Sequence, residues 1–267
     1  MKVVANGIAQ YYQRLGNGPP VVLIHALGLD HRLWEPQLSL LAASCTVFAY
    51  DVRGHGQSDV PAGPYSLAEM VDDLAGLLDA LGVEAAHLVG ISLGGMIAQE
   101  FVLAFPRRVR SLVLADTTSE YNQEARRQFA ERARVAEERG MAPLVEPTIE
   151  RWFTAEFRQS SPAAVARIGQ ILESTHPVGY AASCRAIAQI DVTERLVSVE
   201  APTLVLVGSD DRSTPPEMAL RIHEYIPGSR YLVISDVAHL SNVARSEEFG
   251  RAVLETVRLG ESAAASA

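Results

Sequence analysis

The chain has 267 residues, 48% apolar and 21% charged, the balance of a folded globule and not of a disordered chain. Thirty-two acidic residues against 23 basic ones leave a net charge of −9. That balance argues against a nucleic-acid surface and against docking on anionic lipid, both of which need clustered basic excess. Two cysteines, Cys45 and Cys184, are too few for a disulfide framework or a zinc site and are expected to be buried, inert thiols. No signal-peptide pattern and no apolar window of about 18 residues is visible, so the expected compartment is the cytoplasm.

In chain order, Lys2–Ala5 and Ala9–Tyr12 flank Asn6-Gly7, which predicts a hairpin at an antiparallel edge. Short continuous apolar runs follow at Val21–Ile24, Thr46–Tyr50, Ala86–Val89, Ser111–Ala115, Thr203–Val207 and Tyr231–Ile234, as expected of strands buried on both faces. Between them, Leu67, Met70, Val71, Leu74, Leu77, Leu78 and Leu81 repeat at helical spacing, with Gly82 placed to cap the C-terminus. The alternation predicts an α/β fold, a mostly parallel sheet flanked by helices. It breaks between 119 and 191, a charged, strand-free stretch too long for a loop. The expected organisation is therefore a core in two parts, 1–118 and 192–260, and an inserted helical subdomain, 119–191. A frayed tail is expected at 261–267.

Gly90-Ile91-Ser92-Leu93-Gly94 follows the strand ending at Val89 and precedes a helical pattern through Met96, Ile97, Gln99 and Phe101. In that context G-x-S-x-G describes a strained strand-to-helix turn that exposes a nucleophilic serine; the alternative is a glycine-rich turn with an incidental serine. Such a serine needs a base and a group to orient that base. Of the downstream histidines, His176 falls in the helical stretch and His223 on a helix face that reads as solvated. His239 follows the last strand and is the candidate base. The acid is expected after Thr203–Val207, where Asp210 and Asp211 compete. Asp210 reads as a turn residue, and the spacing through Thr214-Pro215 favours Asp211. Two backbone N–H groups, of Leu93 and Leu27, are assigned to stabilising an oxyanion. His25 reads as a structural hydrogen-bonding residue. The glycine-rich run Asp51–Asp59 lacks the spacing of a dinucleotide site and reads as a tight surface turn with locally paired charges.

His25-Ala26-Leu27-Gly28, Asp51-x-Arg53-Gly54-His55-Gly56-x-Ser58, Gly90-x-Ser92-x-Gly94-Gly95, the Asp211 loop and the His239 loop, in that order, resemble the α/β-hydrolase fold over nearly the whole chain. The resemblance implies an eight-stranded sheet, a helical lid after the sixth strand, and acyl chemistry without a cofactor or metal. Arg151-Trp152-Phe153-Thr154, Gly179-Tyr180-Ala181 with Cys184-x-Ala186-Ile187, and Ala238-His239-Leu240-Ser241-Asn242 further resemble the 3-oxoadipate enol-lactonases. That likeness implies substrate contacts at Phe129, Arg132 and Trp152, with Arg132 holding a substrate carboxylate and Phe129 standing where the family has a tryptophan. Most other arginines of 123–139 are interleaved with glutamates and read as a solvated face. The reaction expected is hydrolysis of a small carboxylic ester or lactone through an acyl-enzyme on Ser92. Alternatives are a general carboxylesterase, a cofactor-free perhydrolase, and a slow ligand receptor on the same fold. A small ester or lactone is the expected partner, with neither nucleic acid nor membrane; a homo-oligomer is compatible with the sequence.

Overall fold

The computed structural model describes residues 1–265. Eight strands make one sheet: β1 (Lys2–Ala5), β2 (Ile8–Leu15), β3 (Pro20–Ile24), β4 (Thr46–Tyr50), β5 (Ala86–Ile91), β6 (Val109–Ala115), β7 (Thr203–Gly208) and β8 (Arg230–Ile234). Their spatial order is β1-β2-β4-β3-β5-β6-β7-β8. β2 runs antiparallel to both β1 and β4, and β3 to β8 are parallel. The apolar runs have the cause expected of them: every residue of β4, β5 and β7 is buried, because helices cover both faces. At the first hairpin Asn6 and Gly7 both take positive φ, 48° and 78°, which a two-residue turn of that hand requires.

The helices are α1 (Glu35–Ala42), α2 (Leu67–Ala80), α3 (Leu93–Ala104), α4 (Gln123–Arg139), α5 (Ala142–Trp152), α6 (Ala155–Ser160), α7 (Pro162–Ser174), α8 (Pro177–Ile187), α9 (Pro216–Tyr225), α10 (Ser241–Ala244) and α11 (Ser246–Ala264). α2 shows how local chemistry sets a boundary. Ser66 and Glu69 form a reciprocal cap at its start, and Gly82, at φ 67°, lets the chain turn so that Val83 N–H closes on Leu78 O at 2.9 Å. α2 and α3 pack together on the sheet, while α1 and α11 pack together and cover β4, β5 and β6.

Between β6 and β7 the chain leaves the sheet and returns to it at a single neck. There Glu120 bridges Asp191, Val192 N–H donates to Ser119 O at 2.9 Å, and the Ser119 and Thr193 hydroxyls meet at 2.7 Å. Helices α4 to α8 form this insertion; α4 lies along α8, and α5 against α4 and α7. α4 turns Phe129, Ala133 and Ala136 inward, while outward-facing Arg134 pairs with Glu131 and Glu138.

Two expectations need correction. The tail expected to fray continues α11 to Ala264, because Gly260 is buried and Glu261 pairs with Arg110 at 2.7 Å and with His87 at 3.1 Å. Residues 266 and 267 lie outside the described residues. The Asp51–Asp59 run is not a surface turn either: Asp51, Arg53, His55 and Ser58 are buried, and its charges pair at long range. Arg53 reaches Asp73 at 2.8 Å and Glu69 at 2.9 Å on α2, and Asp51 accepts from the backbone and ring of His31, each at 2.7 Å. Both cysteines are free and buried, and burial pushes the Cys184 thiol up to about 12. Among the described residues no helix is long and apolar enough to cross a membrane.

Candidate active site

Ser92 stands between β5 and α3 with φ 54° and ψ −116°, a conformation that L-residues rarely adopt. The flanking glycines are needed because a side chain on Gly90 would collide with the Gly94 carbonyl, and one on Gly94 with the Ile24 carbonyl. The strained turn is anchored: Ser92 N–H donates to Ala115 O at 3.0 Å, and the Thr117 hydroxyl donates to Ser92 O at 2.8 Å. The side chain projects at the C-terminal edge of the sheet, with the first turn of α3 behind it.

His239, on the loop between β8 and α10, is 2% exposed and places Nε2 3.0 Å from Ser92 Oγ. Its Nδ1 lies 2.8 Å from Asp211 Oδ2, which fixes the tautomer: Nδ1–H donates to the carboxylate and Nε2 is left to accept the serine proton. Asp211 is held by the Ser213 N–H (2.7 Å), the Thr214 N–H (3.0 Å) and the Thr214 hydroxyl (2.9 Å). Asp210 is exposed and bonds with neighbouring Ser209, so the structure joins Asp211 to His239 and leaves Asp210 aside.

A second buried carboxylate, Asp116, lies behind this row and was missed in the sequence. It follows β6 with φ 45°. It accepts from Gly208 N–H at 3.0 Å, from Ser241 N–H at 3.0 Å and from the Ser241 hydroxyl at 2.6 Å. One side chain thus ties the end of β7, which leads into the Asp211 loop, to the helix after His239. Burial, with the nearby charge of Asp211, pushes its carboxyl up to about 7. Burial would push His239 down, but Asp211 and Asp116 outweigh it and hold the imidazole above its ordinary value. The signal for Asp116 was available: it ends a buried strand on the same sheet edge that selected His239.

Leu93 opens α3 directly after Ser92, and Leu27 borders the cavity over it. The loop carrying Leu27 is held by two buried histidines. His25 Nε2 accepts from Val52 N–H at 2.9 Å and Nδ1 contacts Ala26 O at 2.8 Å; His55 Nε2 accepts from Gly28 N–H at 3.0 Å and Nδ1 contacts Arg53 O at 3.0 Å. Each ring accepts at one nitrogen and donates at the other, so both are neutral. Burial pushes His55 down to about 3, and lowers His25 as well. From the insertion, the Thr175 hydroxyl donates to Gly28 O at 2.7 Å. His25 therefore has the structural role expected of it.

The insertion closes the site into a chamber of about 110 Å³. Its walls include Ser92 and His239 below, and Tyr121, Phe129, Arg132, Arg151, Trp152 and Tyr180 above. Phe129, Arg132 and Trp152, expected together, are brought together. The Arg132 guanidinium lies 4.9 Å from the Phe129 ring centre, and the Trp152 ring stacks on His239 with centres 6.3 Å apart. Arg151 and Arg212 were given no role in the sequence, yet both reach the chamber. Among the described residues no aspartate or glutamate lines it.

A family model described as alpha/beta hydrolase fold matches residues 19–245, and the chain belongs to that family. The 3-oxoadipate enol-lactonase 1 of Acinetobacter baylyi is 36% identical over 233 residues, 87% of this chain and 86% of that protein. The crystal structure of the enol-lactonase from Burkholderia xenovorans LB400 matches with a TM-score of 0.93 at 30% identity, covering 97% of this chain and 100% of that one. A malate-bound thermophilic esterase from Thermogutta terrifontis matches with a TM-score of 0.94 at 32% identity, covering 97% and 99%. The chain is an ester-bond hydrolase of enol-lactonase-like sequence.

Proposed function

We propose that this hydrolase opens a small carboxylate-bearing lactone, 3-oxoadipate enol-lactone, through an acyl-enzyme on Ser92. One observation carries the reading. Ser92, His239 and Asp211 stand in line at 3.0 and 2.8 Å beneath a small chamber whose wall bears arginines and, among the described residues, no carboxylate. At about 110 Å³ the chamber suits a small substrate and not a long-chain ester.

In the proposed reaction His239 Nε2 takes the Ser92 proton as Oγ attacks the lactone carbonyl. The Leu27 and Leu93 N–H groups donate to the oxyanion. Collapse expels the ring oxygen as an enolate, which receives the proton from His239 and tautomerises to the ketone. Water, activated by the same imidazole, then releases the acid. Asp211 fixes the tautomer and stabilises the imidazolium. Phe129 supports the Arg132 guanidinium, which pairs with the substrate carboxylate; Trp152 walls the ring side.

Ultraviolet-monitored hydrolysis of the lactone tests this. Ser92→Ala is expected to lose at least about four orders of magnitude in kcat. Arg132→Ala is expected to raise KM about tenfold to a hundredfold, the worth of a charged hydrogen bond. Turnover of simple aryl esters without the lactone would favour a general carboxylesterase, a reading supported by the aromatic lining of Tyr121, Phe129, Trp152 and Tyr180.

A further inference from the structure

A second cavity, of about 180 Å³, lies beside the chamber over Ser92, and the two spaces share Arg151 and Arg212 as wall residues. These two side chains are the partition between them. The second cavity is otherwise bounded by Phe153, Ala155 and Arg158 of the insertion and by Ala238, the residue before His239. The halves of the partition are held differently. Arg151 is half-buried on the last turn of α5, and its guanidinium donates to the buried Thr148 hydroxyl at 3.0 Å. Arg212 is exposed, and among the described residues its side chain has neither a hydrogen bond nor an ion pair. Its backbone is fixed, because the Ser213 and Thr214 N–H groups donate to Asp211 at 2.7 and 3.0 Å. Only the Arg212 side chain is therefore free to change rotamer.

Two residues bordering the second cavity, Arg151 and Arg158, each bury an Nε–H that has no acceptor among the described residues. A buried donor without a partner costs free energy that an oxygen of a ligand would recover. We infer that Arg212 sets how large a substrate Ser92 takes, and that the cavity behind it is a subsite for an oxygen-bearing alcohol arm of an ester. His239 returns its proton to the departing oxygen, so the alcohol side of a substrate lies next to the His239 loop, which the cavity borders at Ala238. With Arg212 in place the chamber stays at about 110 Å³ and excludes a long arm. Without its side chain only Arg151 remains in the partition, and the two spaces join. The subsite rests on the reading of Ser92 as nucleophile and His239 as base, and not on the lactone as substrate.

The test is pH-stat measurement of kcat/KM of the full-length protein for ethyl acetate, hexyl acetate and 2-propoxyethyl acetate, the last two having arms of equal length. Wild type is expected to favour ethyl acetate. In Arg212→Ala the value for each long ester, taken relative to ethyl acetate, is expected to rise at least about tenfold, which burial of two methylene groups supplies. The ether is expected to gain more than the hydrocarbon, because its oxygen can accept from an orphaned Nε–H. Taking the ratio removes any effect of the substitution on neighbouring Asp211. Adding Ala155→Phe, which fills the second cavity from the first position of α6, is expected to cancel the rise. An unchanged ratio in Arg212→Ala would overturn the partition. A rise that survives Ala155→Phe would overturn the second cavity as its cause, and an equal gain for ether and hydrocarbon would overturn the role of the orphaned donors. Ser92→Ala reports separately: ethyl acetate turnover that persists in it refutes the nucleophile, whatever the ratios show.

Discussion

Asp116 is the residue on which the tuning of the site turns. Its negative charge helps hold His239 above the ordinary imidazole value of 6.5, and it titrates itself at about 7. A base must be unprotonated to accept the serine proton, so kcat/KM falls as pH drops through the His239 value. The ascending limb of the pH profile is therefore expected above pH 6.5, as a property of the coupled pair. Asp116→Asn removes a charge that favours the imidazolium, so the limb is expected to move to lower pH. The measurement is kcat/KM against pH for both proteins on one aryl ester; a limb at the same pH in both would refute the coupling.

At the scale of elements, the loop that bears the β4 charges, the helix α2 and the first hairpin meet at one buried ion pair. Arg53 and Asp73 have side chains 6% and 2% exposed, and the Asn6 amide donates to the same carboxylate at 2.8 Å. Arg53→Met leaves Asp73 charged and buried with one neutral donor. A loss of about 3–5 kcal/mol of unfolding free energy is expected, read from urea denaturation at pH 7. A change below about 1 kcal/mol would show the pair to be dispensable. This junction was not legible in the sequence. Arg53 and Asp73 are twenty residues apart, and nothing local marks which of several acidic residues an arginine will meet. The elbow at Ser92 was legible because its determinants are local: two glycines whose side chains would strike backbone, a strand before and a helix after. His239 and Asp211 were legible because both follow strands of a parallel sheet, whose C-terminal ends share an edge. Asp116 obeys the same rule and was overlooked. The tail was misread from composition, since Ala-rich sequence says little about whether Glu261 finds Arg110 and His87.

For the whole molecule, the distribution of charge matters more than its sum. A chain of net charge −9 carries a chamber with arginines on its wall and, among the described residues, no carboxylate. A net negative charge repels anions in general, so attraction must come from the short range within which salt screens little. Most arginines of the insertion are balanced on its outer face; those turned inward are not, and no helical periodicity distinguishes the two groups before the helices are packed. On the proposed reading, Ser92 chemistry favours substrates that present a carboxylate. It is tested most directly by comparing wild-type kcat/KM for 3-oxoadipate enol-lactone with that for its methyl ester, which has the same reactive ring and no charge. The acid is expected to be favoured about tenfold to a hundredfold, the worth of a charged hydrogen bond to its carboxylate. Equal values for the two would contradict the account.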